Sequence, residues 1–211
     1  MLFCLVLFSV VAYLLGSIPS AVWIGKIFYG VDVREHGSGN AGTTNVLRVL
    51  GGRAAIPVFA IDIAKGLLAV LAVYLIPDLA PNSEKFALIK ILFAALAVLG
   101  HMYPVFAGFR GGKGVATMLG AAVAIQPWGA LVALAVFVLV FCITRYVSLS
   151  SMSGGVAFPL SVIFLFHEPT IAIKIFALFA CLLLFYTHRQ NIKRLRAGTE
   201  SKTTFKKKIE S

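Results

Sequence analysis

Long apolar segments separated by short polar ones constrain this chain more than any other feature of its sequence. Hydrophobic residues make up 60% of its 211 residues, and charged residues only 13%. A soluble domain of this size could not bury so much apolar surface, whereas a helical bundle in a bilayer exposes it to lipid. The segments lack the alternation of apolar and polar residues that marks the strands of a membrane barrel. The predicted fold class is therefore an all-α integral membrane protein with several transmembrane helices.

Seven segments are candidates for crossing the membrane, since a helix needs about 20 apolar residues to span the hydrocarbon core. The fourth of them is short for a crossing, so five or six crossings would remain if it re-enters or if the sixth does not span. The seven segments are 2–27, 54–76, 86–106, 115–125, 128–144, 149–166 and 171–187. They predict a single transmembrane domain at 1–200, followed by a basic cytoplasmic tail at 201–211.

Lys and Arg are concentrated in one set of loops. The first 25 residues contain neither, and the first basic residue is Lys26, after the first apolar segment. The positive-inside rule then places the N-terminus outside and the C-terminus in the cytoplasm. The net charge of +11 is better explained by this topology and an anionic ligand than by nucleic-acid binding. Four polar stretches are separated by even numbers of crossings and should meet on the cytoplasmic face: 37–53, 100–113, 145–151 and 188–200.

The first polar stretch has the composition of a phosphate-binding loop. Gly37, Gly39 and Gly42 fit the dinucleotide-binding pattern G-x-G-x-x-G, but an apolar helix precedes them where that fold requires a strand. Glycines still allow backbone N–H groups to converge on an anion, and the guanidinium of Arg48 suits a pair of phosphate oxygens. The alternative to a phosphate-binding loop is an ordinary hydrophilic turn between two helices. Five further side chains between these residues could donate hydrogen bonds: Ser38, Asn40, Thr43, Thr44 and Asn45.

The second polar stretch resembles a nucleotide-binding P-loop but fails its pattern. Ala107 stands where the first glycine should be, and Gly114 replaces the Ser or Thr that would hold magnesium. Lys113, flanked by Gly111, Gly112 and Gly114 at the start of a helix, nevertheless predicts an anion site. The alternative for Lys113 is a positive charge that only sets the orientation of the chain in the membrane. His101 either packs or caps at a helix end or takes part in the site, which the sequence leaves open.

The remaining polar residues carry weaker signals. Ser151 lies among three serines that precede an apolar helix and could be simple caps. His188 and Asn191 are three residues apart and share a helix face, so they could point into a site. A basic stop signal beside the membrane explains their Arg and Lys neighbours but not this pair. Asp62 and Lys65 lie one turn apart inside the second apolar segment and are expected to form a structural ion pair.

Three of these motifs resemble the bacterial acyl-phosphate:glycerol-3-phosphate acyltransferases, the PlsY enzymes. The resemblance covers nearly the whole chain in order and spacing, and it differs in the apolar residues and the basic tail. The motifs are Gly-Ser-Gly-Asn-x-Gly-x-Thr-Asn with Arg48, Gly-His-x-Tyr-Pro-Val-Phe with Gly-Phe-Arg-Gly-Gly-Lys-Gly, and His-Arg-x-Asn-Ile-x-Arg-Leu with Gly198 and Glu200.

The resemblance implies an enzyme of the bacterial inner membrane, with its active site on the cytoplasmic face. It would move a fatty acyl group from acyl-phosphate to the 1-hydroxyl of glycerol 3-phosphate, releasing lysophosphatidic acid and phosphate. Matching the motifs by position, Ser38, Thr44 and the backbone around 37–42 would hold the acyl-phosphate. Glycerol 3-phosphate would be held by Arg48, Lys113, Ser151, His188 and Asn191. The base is either His188 or the acyl-phosphate itself, and Glu200 looks structural.

The residues agree independently with such a reaction. Two phosphate-bearing substrates need two anion sites, and an activated acyl-phosphate needs neither a metal nor a covalent nucleophile, so no cofactor is expected. The His-x-x-x-x-Asp pair of acyl-CoA acyltransferases is absent from the sequence. A membrane transporter of a phosphate ester is the alternative, but it should show charge at midplane or repeated halves. The sequence leaves the oligomeric state open, a monomer included, and a structural membrane protein would not need loops so rich in donors.

Overall fold

The computed structural model describes residues 1–81 and 83–203, and secondary structure within them is helical. Short 3₁₀ turns and one π-turn extend or connect ten α-helices. Their bounds are α1 Leu2–Gly16, α2 Ser20–Tyr29, α3 Thr43–Val49, α4 Gly52–Leu71, α5 Glu84–Met102, α6 Val115–Ile125, α7 Pro127–Thr144, α8 Val147–Leu160, α9 Ile171–Thr187 and α10 Arg189–Arg196. The predicted basic tail lies outside the described residues from 204 onward.

Between four and six of the predicted crossings meet the length and hydropathy of a membrane span among the described residues. Four are continuous helices: Gly52–Leu75, Glu84–Ala107, Pro127–Thr144 and Val147–Leu165. Two more follow if α1 with α2, bent by 44°, and α9 with α10, bent by 59°, are each counted as one span. The all-helical, multi-pass membrane fold predicted from the sequence is confirmed.

Among the seven predicted crossings, the fourth is a short helix, as its length in the sequence indicated. Helix α6 has 11 residues and a length of about 16 Å, roughly half the thickness of the hydrocarbon core. The first predicted crossing is also not one straight helix. It breaks at Ser17–Pro19, since Pro19 has no N–H to continue the helical hydrogen bonds of α1.

Glycines allow the helices nearest the site to touch backbone to backbone. A Cβ at Gly66 of α4 would overlap the carbonyl of Thr117 on α6, and one at Gly120 of α6 would overlap the carbonyl of Ile63 on α4. Helices in lipid associate through such close packing, because no hydrophobic force drives apolar helices together there. The pair α4–α6 is thereby fixed, and with it the loop that precedes α6.

The path of the chain after α6 explains how distant motifs meet. Helix α6 leads away from Gly114, and α7 returns in the opposite direction after the single residue Gln126. Gln126 Nε2 donates a hydrogen bond to Glu168 Oε2 at 3.1 Å, which ties this turn to the loop after α8. The start of α8 therefore returns to the end of the bundle where the loop 103–114 lies.

Candidate active site

A cavity of about 500 Å³ lies at that end of the bundle. Its polar wall comes from α3, from the start of α6 and the residues before it, and from the junctions α7–α8 and α9–α10. Its apolar wall comes from Phe59 on α4 and from Phe137 and Phe141 on α7. One chamber thus offers a cluster of donors and cations beside a hydrophobic surface, which suits a ligand with a charged head and an apolar tail.

The first loop is held in shape by Asn45, which is 1% exposed. Its Oδ1 accepts hydrogen bonds from the backbone N–H of Ser38 at 2.8 Å and from Ser38 Oγ at 3.1 Å. Its Nδ2 donates to the carbonyls of Val33 at 2.7 Å and His36 at 3.1 Å. The amide therefore makes all four hydrogen bonds open to it. Gly37 has a φ of +62° and lies so close to Asn45 Oδ1 that a Cβ would overlap it.

Arg48, on α3, brings a partly desolvated cation to the chamber. Its Nε is buried and has no hydrogen-bond partner among the described residues. Burial is the main reason that the pKa of Arg48 falls below its usual value, and the charge of Arg194 adds to this. A guanidinium keeps its proton through such a shift, so Arg48 remains a cation whose donors an anion could satisfy.

The second loop is positioned by His101, at the end of α5. The backbone N–H of Gly112 donates to the carbonyl of His101 at 3.1 Å. A Cβ at Gly112 would overlap the ring of His101, and it would lie 3.1 Å from the carbonyl of Ala41 in the first loop. Gly112 is thus packed between the two loops, and its neighbour Lys113 is set relative to both. His101 thus packs at the end of α5, and it also lines the chamber.

A buried ion pair lies behind His101. Lys65 Nζ is 2.8 Å from Asp62 Oδ1, as expected from the sequence, and it also donates to the carbonyl of Ile18 at 2.9 Å. The same carboxylate oxygen accepts from Ser20 Oγ at 2.7 Å and lies 3.5 Å from Nδ1 of His101. Removing either member of such a pair would leave an uncompensated buried charge.

Lys113 connects the second loop to the third motif. Its Nζ donates to Asn191 Oδ1, and Asn191 Nδ2 donates to Glu200 Oε1 at 2.7 Å. Burial and the charges of Arg194 and Arg48 lower the pKa of Lys113 to about 8, which the charge of Glu200 only partly offsets. The ammonium is therefore held in an environment where an added anion would be strongly favoured.

Glu200 joins the ends of α8 and α10. Besides Asn191, its Oε1 accepts from Ser148 Oγ at 2.7 Å, and its Oε2 accepts from Arg194 Nε at 2.7 Å. Burial opposes ionisation of Glu200, but the hydrogen bonds from Arg194, Asn191 and Ser148 outweigh it and lower its pKa. The structural role expected for Glu200 agrees with this network.

His188 presents one ring nitrogen to the chamber. The other, Nδ1, lies 2.8 Å from the carbonyl of Leu184, and a carbonyl can only accept, so Nδ1 carries the proton. In the neutral ring Nε2 is then an acceptor. Ser151, across the chamber, donates its hydroxyl to the carbonyl of Val147 at 2.8 Å and keeps its lone pairs.

The structure brings most of the residues singled out in the sequence into this one chamber. Eleven of those fifteen line it: Ser38, Asn40, Gly42, Thr44, Asn45, Arg48, Lys113, Gly114, Ser151, His188 and Asn191. The lining does not include Gly37, Gly39, Gly111 and Gly112. As described for Gly37 and Gly112, glycines outside the lining allow the close packing that gives the two loops their shape.

Several lining residues were not among the predicted site residues. In the sequence, Ser148 was one of three serines and Arg194 was one of several basic residues, so neither stood out as a site residue. Phe59, Phe137 and Phe141 lie in apolar segments, where nothing in a single sequence separates a cavity wall from a lipid-facing side chain. Across residues 1–81 and 83–203, no group of three or more His, Cys, Asp and Glu side chains is arranged to hold a metal ion.

A family model described as glycerol-3-phosphate acyltransferase matches residues 6–198. The chain belongs to this family. Among its curated relatives, the glycerol-3-phosphate acyltransferase of Thermoanaerobacter sp. is 45% identical over 97% of this chain and 98% of its own length. The glycerol-3-phosphate acyltransferase of Enterococcus faecalis is 43% identical over 95% of this chain and 93% of its own length. The resemblance read from the motifs is thus confirmed.

Solved structures agree with the family assignment. The acyltransferase superposes with a TM-score of 0.84 and 37% identity on a crystal structure of PlsY, an integral membrane glycerol 3-phosphate acyltransferase, in its glycerol 3-phosphate form. That match covers 95% of this chain and 96% of the other. A second crystal structure of PlsY, in its lysophosphatidic acid form, superposes with a TM-score of 0.81 and 35% identity.

Proposed function

We propose that this acyltransferase moves a fatty acyl group from acyl-phosphate to the 1-hydroxyl of glycerol 3-phosphate, giving lysophosphatidic acid and inorganic phosphate. The observation that carries the proposal is the single chamber in which the hydrogen-bond donors of the first loop and the two cations Arg48 and Lys113 lie beside an apolar wall. Two phosphate-bearing substrates, one with an acyl chain, match that combination. The family membership and the ligands named for the two PlsY structures support it.

The first loop would hold the phosphate of the acyl donor. Ser38 and Thr44 line the chamber at the start of α3, where backbone N–H groups favour an anion. Because its amide is already fully used within the loop, the role we propose for Asn45 is to hold Ser38 in place. The acyl chain would then extend along Phe59 and Phe137.

The second anion site would hold glycerol 3-phosphate. Arg48, Lys113 and Asn191 converge from three elements, and Ser151 and His188 face the same space. Glycerol 3-phosphate has no tail to bury, so its affinity must come mainly from charge and hydrogen bonds. Fixing both phosphates brings the 1-hydroxyl and the acyl carbonyl together, which is a large source of rate acceleration.

The chemistry then needs one proton transfer and one bond exchange. The 1-hydroxyl oxygen attacks the acyl carbonyl, the carbonyl carbon loses its bond to the phosphate oxygen, and the phosphate leaves. The hydroxyl proton passes either to that departing phosphate or to Nε2 of His188. The donors of the first loop would stabilise charge on the phosphate side, and no covalent acyl-enzyme is needed.

The chamber would face the cytoplasm of a bacterial inner membrane. The loops that build it contain Arg48, Arg53, Arg110 and Lys113, and α10 adds four more basic residues, whereas residues 1–25 have neither Lys nor Arg. This asymmetry favours a cytoplasmic location for the chamber. Protease or thiol-labelling access from each side of oriented vesicles would test the orientation separately from the activity.

The direct test uses the purified full-length protein in detergent. With palmitoyl-phosphate and glycerol 3-phosphate together we expect release of phosphate matched by formation of lysophosphatidic acid, and neither product with one substrate omitted. Palmitoyl-CoA as the only donor should not support turnover. No product from any acyl-phosphate, with flux of glycerol 3-phosphate in proteoliposomes, would instead favour the transporter.

Gly112→Ala is expected to raise the KM for glycerol 3-phosphate more than it lowers kcat. The new methyl group would overlap the His101 ring, so the segment must move and carry Lys113 with it. Displacements of about 1 Å at a site can cost up to a hundredfold, and we expect a change of about tenfold. Steady-state kinetics with each substrate varied in turn would measure this.

The matched control is Gly108→Ala in the same loop. Gly108 has a φ of +61°, so alanine adds backbone strain there, but its Cβ would meet open space. We expect the control to change the KM for glycerol 3-phosphate far less than Gly112→Ala. Equal effects of the two variants would contradict the packing role assigned to Gly112.

A further inference from the structure

Arg34, just before the first loop, makes a contact that the proposed reaction does not use. Its Nη1 donates a hydrogen bond to the carbonyl of Ala107 at 2.7 Å, across 73 positions of the chain. Ala107 belongs to the short 3₁₀ turn Val105–Ala107 in the second loop. One side chain thereby connects the segment that leads to Ser38 with the loop that carries Lys113. We call this contact between Arg34 and Ala107 the loop clasp.

Asp32 holds the guanidinium of Arg34 in the direction of the clasp. Nε of Arg34 donates to Asp32 Oδ1 at 2.9 Å, and Nη2 donates to Oδ2 at 2.7 Å. The backbone N–H of Arg34 donates to the same Oδ1 at 3.0 Å, which caps the turn Val33–Glu35. Paired hydrogen bonds between a guanidinium and a carboxylate fix direction as well as distance. Nη1 is therefore held toward Ala107 with little freedom.

Hydrogen bonds continue the clasp into both substrate loops. On one side, the carbonyl of Val33 accepts from Asn45 Nδ2, and Asn45 Oδ1 accepts from Ser38. On the other side, the carbonyl of Ala107 also accepts the backbone N–H of Arg110 at 3.4 Å, where the glycine-rich end of the second loop begins. The positions of Ser38 and of the second anion site are thus related through the clasp.

The clasp is a second point of attachment between the two loops. They also meet where Gly112 packs close to the carbonyl of Ala41. A single close contact leaves a loop free to pivot, whereas two contacts five residues apart, at Ala107 and Gly112, also fix its direction. Beside the clasp, the ring of Trp23 on α2 lies 6.3 Å from the ring of Phe106, which supports the same turn from its apolar side.

We propose that Arg34 is a positioning residue that, through the loop clasp, fixes the distance between the two bound substrates, an inference that rests on the proposed acyl transfer. Each loop keeps its own hydrogen bonds without this side chain, since those of Asn45 and Gly112 do not involve it. Each substrate should therefore still bind. What depends on Arg34 is the approach of the 1-hydroxyl to the acyl carbonyl, where an error of about 1 Å can cost up to a hundredfold in rate.

Arg34→Ala should lower kcat and leave both Michaelis constants nearly unchanged. We expect kcat to fall by about thirtyfold and each KM to change by less than about threefold, because the reacting groups are displaced while both anion sites remain. Steady-state kinetics with palmitoyl-phosphate and glycerol 3-phosphate varied in turn would measure both. Thermal stabilisation by glycerol 3-phosphate alone needs no turnover and should match the wild type. Gly112→Ala, with its higher KM, should show the opposite split.

The matched control is Lys26→Ala, which removes a different cation from the same carboxylate. Lys26 Nζ lies 3.1 Å from Asp32 Oδ2, its side chain is 55% exposed, and among the described residues it makes no hydrogen bond to the second loop. Exposed ion pairs contribute little, so kcat should stay near that of the wild type. Arg34→Lys keeps the charge but cannot form the paired hydrogen bonds, and it should recover only part of kcat.

A double variant separates positioning from a role in folding. Arg34→Ala takes the main partner from Asp32, whose side chain is 9% exposed, and a buried charge without its partner is costly. Asp32→Asn/Arg34→Ala removes both charges, so it should melt near the wild-type temperature. Its kcat should nevertheless be as low as that of Arg34→Ala, because the clasp is missing in both variants.

Three results would overturn the clasp. One is a wild-type kcat in Arg34→Ala. Another is a rise of one KM that accounts for the whole loss of kcat/KM, because Arg34 would then serve a single site. The third is unfolding of both Arg34→Ala and the double variant, because Arg34 would then only hold the fold. If the wild-type protein makes no lysophosphatidic acid from palmitoyl-phosphate, the proposed reaction fails first, and this role fails with it.

Discussion

Arg48→Ala is expected to lower kcat/KM for glycerol 3-phosphate by about a hundredfold or more while leaving the protein folded, because a charge-assisted contact to the substrate phosphate is lost. Arg48 makes no ion pair among the described residues, and its buried Nε lacks a partner there, so the substitution breaks no bridge that holds the fold. A guanidinium kept without a partner beside a chamber is a group whose hydrogen bonds await a ligand. Turnover with palmitoyl-phosphate and glycerol 3-phosphate would measure the loss.

The matched control is Arg53→Ala, five residues along the chain. Arg53 is exposed at the start of α4 and does not line the chamber, so it removes the same charge without touching the site. We expect near wild-type turnover there, which would exclude a general effect of net charge. Wild-type turnover in Arg48→Ala would show that the chamber has been assigned to the wrong chemistry.

The sequence identified the polar part of the site because charge and glycine are costly in a membrane protein. Arg48, Lys113, His188 and Asn191 stood out against apolar surroundings, and the motifs containing them are far apart in the chain. Their convergence follows from helices that return to the same end of the bundle, a pattern that segment counting captures even when one helix is short. Polar residues near a bilayer thus carry strong positional information.

The sequence could not supply the parts of the site that depend on packing. The contact between Gly112 and the ring of His101 joins α5 to a loop eleven residues later, and no local pattern encodes it. Asn45 is not a free donor, because its Nδ2 already donates to the carbonyls of Val33 and His36 within its own loop. Phe137 belongs to the apolar wall of the chamber, yet in the sequence it is one apolar residue among many.

The same limitation applies to the fourth predicted crossing. Its length set 115–125 apart in the sequence, but hydropathy alone could not show where in the bundle it begins. In the structure α6 begins only after the non-helical residues 110–114, and its first turn lies at the chamber. The short α6 is compatible with this position, since Gly114 and Val115 both line the chamber. The short length of α6 and the position of the site are therefore parts of one structural feature.

Lys113→Ala is expected to damage the use of glycerol 3-phosphate more than the use of acyl-phosphate. Lys113 is half-buried and contacts Asn191 and, through it, the Glu200 network. Loss of a charge-assisted contact to a small dianion should raise its KM by about a hundredfold, since the ligand has no apolar part to compensate. The exposed Arg110→Ala is the charge-matched control in the same loop and should change neither KM appreciably.

The pH dependence gives this prediction a second readout. Because burial lowers the pKa of Lys113 to about 8, its ammonium is present below that pH and lost above it. The second phosphate proton of glycerol 3-phosphate has dissociated above pH about 6, so the substrate does not titrate in this range. We therefore expect kcat/KM for glycerol 3-phosphate to fall as the pH rises through about 8, a profile that reports the free enzyme.

Two variants at this position make the assignment decisive. The fall above pH 8 should be absent in Lys113→Ala, whose residual activity has no ammonium to lose. It should also be absent in Lys113→Arg if that side chain is accommodated, because a guanidinium keeps its proton throughout this range. A rise of KM confined to acyl-phosphate would show that the two anion sites have been exchanged, and Lys113 would then belong to the donor phosphate.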